Sequence, residues 1–353
     1  MRIYCEPGLH CISARCARTP SLTGSNTPAP GNLAQRLEPQ HTTGSRYEAH
    51  ERSRPDLSPL LRMERTMKTI RLLTVGNSFS QNALTYLAPI AESIGDVAFV
   101  VGRASLGGCS LEKHWNLADY TAGHPEYKTY ALGTLSGDRL VHANLQEALV
   151  AEPWDVVTLQ QVSRKSWRED TYEPHLGQLV ELTRRLAPQA SVNLHQTWAY
   201  RTDCPFYAEN GLTQQVMHER IAAAYGRFAE IYGCRILRSG EAVHRARIEP
   251  GYVFQWPEAG YEYLFAAAPE LPVQENSFAA GWHWRMRETP EGVPELRLDA
   301  THLNARGNYL IGCLWYEALT GQATTDGAFV PVGMAVEDAA RLRRIAHEVA
   351  SLG

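Results

Sequence analysis

The sequence predicts an α/β protein built on a doubly wound, flavodoxin-like parallel sheet with helices on both faces. Three observations predict it. Short apolar runs rich in Val, Ile and Leu recur along the chain, segments with helical spacing lie between them, and Gly or Asn punctuates several of the junctions. A short apolar run suits a strand buried on both faces, and strands alternating with helices imply parallel crossovers.

The elements follow in order. Residues 70–75 (IRLLTV) read as the first strand. Residues 81–94 carry Leu84, Leu87, Ile90 and Ile94 at helical spacing, with Pro89 as a strain on that helix. Residues 97–101 (VAFVV) form the second strand, 155–159 (DVVTL) the third, 191–195 (SVNLH) the fourth and 235–237 a short fifth. Helices are expected to begin at 110–116 and to span 145–151, 176–186, 213–232, 304–320 and 336–352. Residues 248–298 break the rhythm. They are aromatic and loop-like, with a hairpin whose strands, 282–287 and 295–298, flank a turn containing Pro and Gly, and they read as an insertion near the site.

Residues 1–66 differ from the remainder. They are rich in Pro, Ser, Thr, Gly and Arg and lack apolar periodicity. Such a segment buries too little apolar surface to offset its ordering entropy and reads as disordered. It has no apolar stretch of the kind a secretory signal needs, so the expected location is cytoplasmic. Met67 then stands as a candidate native start, with residues 67–353 as the folded domain.

Composition narrows the function. A chain of 353 residues, 44% hydrophobic and 20% charged, can bury a sizeable core. A formal net charge of −4 offers no electrostatic grip on nucleic acid or on an anionic membrane. No stretch is apolar and long enough to span a bilayer. The seven cysteines include no C-x-x-C pair and read as free thiols; the thirteen histidines include no H-E-x-x-H. Neither a metal nor another cofactor is expected.

Two short motifs carry chemistry. Gly76-Asn77-Ser78-Phe79-Ser80 follows the first strand directly, where open α/β sheets place their sites. Gly76 and Asn77 permit a tight turn, and a serine at a helix start meets free N–H groups that favour a developing negative charge. Taken alone, such a serine is an ordinary helix cap, a role that suits Ser80 better. Near the other end, Asp299-Ala300-Thr301-His302 precedes a helix. An Asp three residues before a His can accept its Nδ1–H, leaving Nε2 free to take a proton from serine.

Together the motifs resemble the SGNH/GDSL hydrolase superfamily. GNSFS is similar to its G-D-S block and DATH to its D-x-x-H block. Gly107-Gly108 after the second strand is similar to the block whose glycine N–H faces the oxyanion. GGCSLEKHW, VTLQQVSRKSW and HLNARGNYLIGCLWYEALTG resemble a little-characterised branch known mainly as a domain of unknown function. The resemblance spans about residues 70–320. It implies a catalytic triad of Ser78, His302 and Asp299 and an oxyanion hole made by Ser78 and Gly108. Two departures matter. Asn77 replaces the Asp of G-D-S, which is not a triad member. After the third strand stand Gln160 and Gln161 where the superfamily has an oxyanion-binding Asn. A glutamine amide can also donate, so Gln160, first off the strand, is the expected third donor and Gln161 the alternative.

The expected substrate is a small acyl ester, acetyl above all, on a small molecule or a carbohydrate. Trp115, Trp167, Trp198, Trp256, Trp282 and Trp284 offer flat faces for sugar rings, although any one of them can equally be core. His114, His195, Gln196 and Arg164 are candidate polar walls. A degenerate domain that binds glycans without turnover is the alternative. A nucleotide-binding protein is excluded, because no G-x-G-x-x-G or P-loop follows the first strand. If residues 1–66 dock nowhere, deleting them leaves the cooperative thermal transition in place; its loss on deletion would show the segment to be structural.

Overall fold

The computed structural model describes residues 67–134, 140–257, 260–286, 292–324 and 329–353. Residues 1–66, expected to be disordered, lie outside the described residues.

Five strands form the central sheet: β1 (Lys68–Gly76), β2 (Val97–Ser105), β5 (Val156–Leu159), β6 (Ser191–His195) and β7 (Arg235–Leu237). All four neighbouring pairs are parallel, in the order β2-β1-β5-β6-β7. Counted along the chain, the sheet runs 2-1-3-4-5, so its strand order reverses beside β1. Loops leaving β1, β2 and β5 therefore open into one crevice at that switch point. Every β5 residue is buried, as are Leu72, Leu73 and Val75 of β1, as strands covered on both faces require. Each fully buried leucine contributes about 1.5–3 kcal/mol.

The crossovers place helices on both faces of the sheet. On one, α9 (Ala305–Thr320) packs against α1 (Ser78–Leu84), α2 (Leu87–Ile94), α8 (Ser239–Ile248) and α10 (Val336–Ala350). On the other, α3 (Leu111–Gly123), α4 (Leu145–Val150) and α5 (His175–Leu186) pack together, and α7 (Gln214–Tyr232) carries the chain to β7. The doubly wound α/β fold read from the sequence is the fold observed.

Several boundaries differ from expectation for identifiable reasons. The helix expected over 81–94 is two helices that divide at Thr85–Tyr86. Pro89 lies in the first turn of α2, where its missing N–H breaks no intrahelical bond, so the expected strain does not arise. An antiparallel pair, β3 (Tyr130–Thr134) and β4 (Leu140–Ala143), follows α3; a short two-stranded ribbon leaves little apolar pattern. A short α6 (Phe206–Asn210) and α8 were likewise not expected.

The aromatic segment leads into a ribbon of β8 (Ala279–Met286) and β9 (Pro294–Leu303). It is longer than the expected hairpin and carries Asp299 and His302 on its second strand. Three backbone or side-chain ties fasten this ribbon to the domain: Arg201 N–H to Ala300 O at 2.8 Å, Trp198 Nε1–H to Thr301 O at 2.8 Å, and Asn82 Nδ2–H to Leu303 O at 3.4 Å.

Gly240 marks a close approach of α8 to the chain leaving β6: a β-carbon there would stand 2.2 Å from Thr197 O. Backbone cannot yield as a side-chain tip can. Gly240→Ala is expected to destabilise the protein by about 1–3 kcal/mol, seen as a lower melting temperature. An unchanged melting temperature would show that α8 is free to retreat.

Candidate active site

The site forms where β1 ends. Asn77 adopts extended geometry, φ −145° and ψ −156°, and caps α1 by accepting Phe79 N–H on Oδ1 at 3.0 Å. Ser78 is thus the first residue of α1. Gly76 has no room for a side chain: a β-carbon would stand 2.4 Å from Ser80 Oγ and 2.8 Å from Gln160 Oε1.

Ser78, His302 and Asp299 come together from opposite ends of the domain. Ser78 Oγ lies 2.7 Å from His302 Nε2, and His302 Nδ1 lies 2.7 Å from Asp299 Oδ2. Since a carboxylate only accepts, Nδ1 carries the proton and Nε2 accepts from the serine. Asp299 Oδ1 accepts three further bonds: Thr301 N–H at 3.0 Å, Thr301 Oγ1–H at 2.9 Å and His302 N–H at 2.9 Å. The imidazole is 39% exposed on its side chain, so solvent and substrate can reach it. Behind it, Phe79 stacks on buried Trp198 with ring centroids 4.0 Å apart, and Trp198 is the residue that clasps Thr301 O. One aromatic pair thereby braces both the serine helix and the histidine strand.

Charge is settled by local bonding. Burial alone would push the Asp299 carboxyl up; the His302 imidazole and the N–H groups of His302 and Thr301 outweigh it and hold that carboxyl well below the usual range. Burial lowers His114 to about 4, so it is neutral. Its Nε2–H donates to Gly76 O at 3.0 Å, and its Nδ1 accepts from Tyr130 Oη at 2.8 Å. His114 is thus a strut beneath the turn rather than a wall.

The second block also meets the turn. Leu106 N–H donates to Gly76 O at 3.2 Å and Asn77 Nδ2 donates to Cys109 O at 3.0 Å, which fixes Gly108 between two tied neighbours. Gly108 is exposed and has φ +59°, a conformation that favours glycine. Among the described residues, no acceptor takes the N–H of Ser78 or of Gly108.

Gln160 takes a different part from the one expected. It is fully buried, its Oε1 accepts from Ser80 Oγ at 2.6 Å, and its Nε2 donates to Asn77 Oδ1 at 2.8 Å and to Gln161 O at 3.3 Å. Both amide hydrogens are engaged, so the side chain holds the turn instead of presenting a donor to the crevice. Gln161 is committed as well: Oε1 accepts from Leu111 and Val162 N–H, and Nε2 donates to Thr171 O at 2.9 Å.

The other candidate residues divide. Trp198 is core. His195 is fully buried, finds no partner for either ring nitrogen among the described residues, and is lowered by burial to about 3. Gln196 is buried and accepts Glu241 N–H at 3.0 Å. Trp115, Trp167, Trp282 and Trp284 are half-buried, and Trp256 is exposed. Trp282 lies opposite Leu298, next to the Gly281–Asp299 pair of the ribbon. A cleft of about 800 Å³ beside Trp167, Arg220 and Tyr232 holds none of Ser78, Asp299 or His302. Among the described residues no cluster of His, Cys, Asp and Glu suits a metal ion. Sequence reasoning missed the Phe79–Trp198 brace and the coupling of Asn77 to Gln160, which join positions far apart in the chain.

The α/β domain thus aligns a serine, a histidine and a carboxylate at its switch point. Residues 71–256, more than half of the chain, match the model of DUF4886, a domain of unknown function, and the chain belongs to that family. It is similar to the crystal structure of a DUF4886 family protein from Bacteroides uniformis, with 26% identity over 80% of this chain and 95% of that chain and a TM-score of 0.60. It is also similar, at 19% identity over 71% of this chain and 98% of the other (TM-score 0.42), to a protein from Slackia heliotrinireducens provisionally named an SGNH hydrolase. A protein from Parabacteroides merdae provisionally named a GDSL-like lipase is similar at 10% identity over 72% and 97% of the two chains (TM-score 0.40). No curated protein sequence matches.

The low-lying Asp299 carboxyl sets a pH dependence. In an unfolded chain this group titrates near ~3.9. Its contribution to stability is therefore complete above that value and is lost as pH falls toward the lower folded value. Wild type is expected to exceed Asp299→Asn in denaturant midpoint at about pH 7, and the gap should close below about pH 4. A gap that stays constant on acidification would show that the carboxylate charge is not what the fold uses.

Proposed function

We propose that this chain is a serine ester hydrolase of the SGNH type. The observation that carries the reading is the unbroken line Ser78 Oγ–His302 Nε2 and His302 Nδ1–Asp299 Oδ2, with 2.7 Å at each step. Ser78 Oγ attacks an ester carbonyl and passes its proton to His302 Nε2. Asp299 holds the tautomer and stabilises the imidazolium. The carbonyl oxygen, now negative, is met by the N–H groups of Ser78 and Gly108. His302 returns its proton to the leaving alcohol, and water then cleaves the acyl-serine by the same route in reverse.

For substrate we propose a small acyl ester, acetyl first, borne by a carbohydrate. Support comes from the half-buried Trp282 and Trp284 on the ribbon that carries Asp299, with Tyr263 packed on Trp282 at 4.7 Å between centroids. Residues 67–353 act on this reading as one hydrolase domain, with 248–298 as its insertion and a cytoplasmic setting. Among the described residues no helix is long and apolar enough to cross a membrane. The engaged amide of Gln160 is the one observation that favours the alternative, a glycan-binding domain without turnover.

Hydrolysis of p-nitrophenyl acetate separates the two. Wild type is expected to turn it over, and Ser78→Ala to lower kcat/KM by at least ~10³-fold. A screen of acetylated sugars would then identify the alcohol. No turnover of any ester by wild type would leave the binding reading standing and remove the catalytic one.

A further inference from the structure

We propose that Arg164 is the third oxyanion donor, taking the part that Gln160 is too occupied to play. The inference rests on the ester-hydrolase reading of Ser78.

An exposed arginine is ordinarily a solvated surface group. Three observations set this one apart. The first is position. Arg164 lies on the loop that leaves β5 at the sheet's switch point, and its Nη1 stands 3.4 Å from where a β-carbon of Gly108 would sit. A β-carbon is about 2.5 Å from its own nitrogen, so Nη1 and the Gly108 nitrogen are no more than about 5.9 Å apart. Two donors that share one oxygen, each about 2.9 Å from it, stand up to about 5.8 Å apart. At any separation up to that limit, one carbonyl oxygen held by the Gly108 N–H is within reach of the guanidinium.

The second is preorganisation. The backbone around Arg164 is braced by buried neighbours although its side chain is exposed. Lys165 and Ser166 N–H both donate to Val162 O, at 2.9 and 3.0 Å, and Trp167 Nε1 donates to Arg164 O at 3.0 Å. Ser166, fully buried, donates to Ser163 O at 2.9 Å and accepts from Thr197 Oγ1 at 2.7 Å.

The third is freedom. Among the described residues no carboxylate or carbonyl accepts from the Arg164 guanidinium, whereas Lys165 beside it is paired with Glu112 at 2.8 Å. Lys113 and Arg164 are the two cations that pull the Cys109 thiol down against its burial, which places their charge at the residue after Gly108.

In the reaction, the Ser78 Oγ–carbon bond forms as the carbonyl π pair moves onto oxygen, and the serine proton goes to His302. Arg164 gives up no proton; it holds the charge that has formed. A guanidinium stays protonated throughout.

The test uses full-length protein and p-nitrophenyl acetate, a neutral ester that gives an arginine no ion pair in the ground state. Arg164→Ala is expected to lower kcat by ~10–10²-fold while KM moves less than about threefold. Ethylguanidinium added to Arg164→Ala should recover part of kcat, which a merely structural loss would not allow. Arg164→Lys, which keeps the charge without the fork, should fall between. Unchanged kcat in Arg164→Ala, or a loss confined to KM, overturns the proposal. Labelling of wild type with a fluorophosphonate probe and peptide mass spectrometry separates the two levels of inference. If Ser78 is not labelled, the hydrolase reading fails and this one with it. If Ser78 is labelled and Arg164→Ala is labelled as fast as wild type, only the role of Arg164 is overturned.

Discussion

The side chain of Asn77 is the tie on which the site depends. It is buried, and each end of its amide is used: Oδ1 accepts from Phe79 N–H and from Gln160 Nε2, and Nδ2 donates to Cys109 O. Those partners belong to the helix after β1, the end of β5 and the loop after β2. One residue thus gathers the three strand ends that meet at the switch point. An aspartate at this position would leave Cys109 O without its donor and put a charge where an amide is neutral. Gln160 completes the arrangement by accepting from Ser80 Oγ, so a ring of hydrogen bonds, closed through the backbone of α1, links Asn77, Gln160 and Ser80.

His302 reaches that ring from elsewhere. It stands on β9, part of a ribbon that pairs with no strand of the central sheet. Its placement therefore relies on the ties to Trp198, Arg201 and Asn82 rather than on a ladder shared with β1. Asp299, by contrast, is placed by its own neighbours, since Oδ1 folds back onto the N–H groups two and three residues on. The carboxylate and the imidazole form one local unit, and the Phe79–Trp198 stack positions that unit against the serine.

What the sequence made legible was what is local in the chain. Each sheet strand holds a short run of Val, Ile or Leu, and the serine, aspartate and histidine sit in motifs of four or five residues. What escaped was whatever depends on distant partners. Gln160 looked like a free donor because nothing nearby in the chain takes its amide; its partner Asn77 lies 83 residues away. Trp198 looked like a sugar platform because its burial is set by Phe79. Pro89 looked like a strain because the break at Thr85–Tyr86 leaves no mark on the apolar spacing. Arg164 was one of four polar residues given no role, and burial in the fold separates it from His114, His195 and Gln196.

The ribbon has a further consequence for how such a domain can diversify. Trp282 and Trp284 share it with Asp299 and His302, although the antiparallel register shifts between Ala279 and Gly281, opposite the stretch that holds His302. Residues that would face an incoming sugar and residues that would move its proton are thus cut from the same piece of chain. The pairing from Gly281–Asp299 to Met286–Pro294 is regular, so the register shift is confined to the end of the ribbon nearest His302, and the aromatic stretch can vary without moving it.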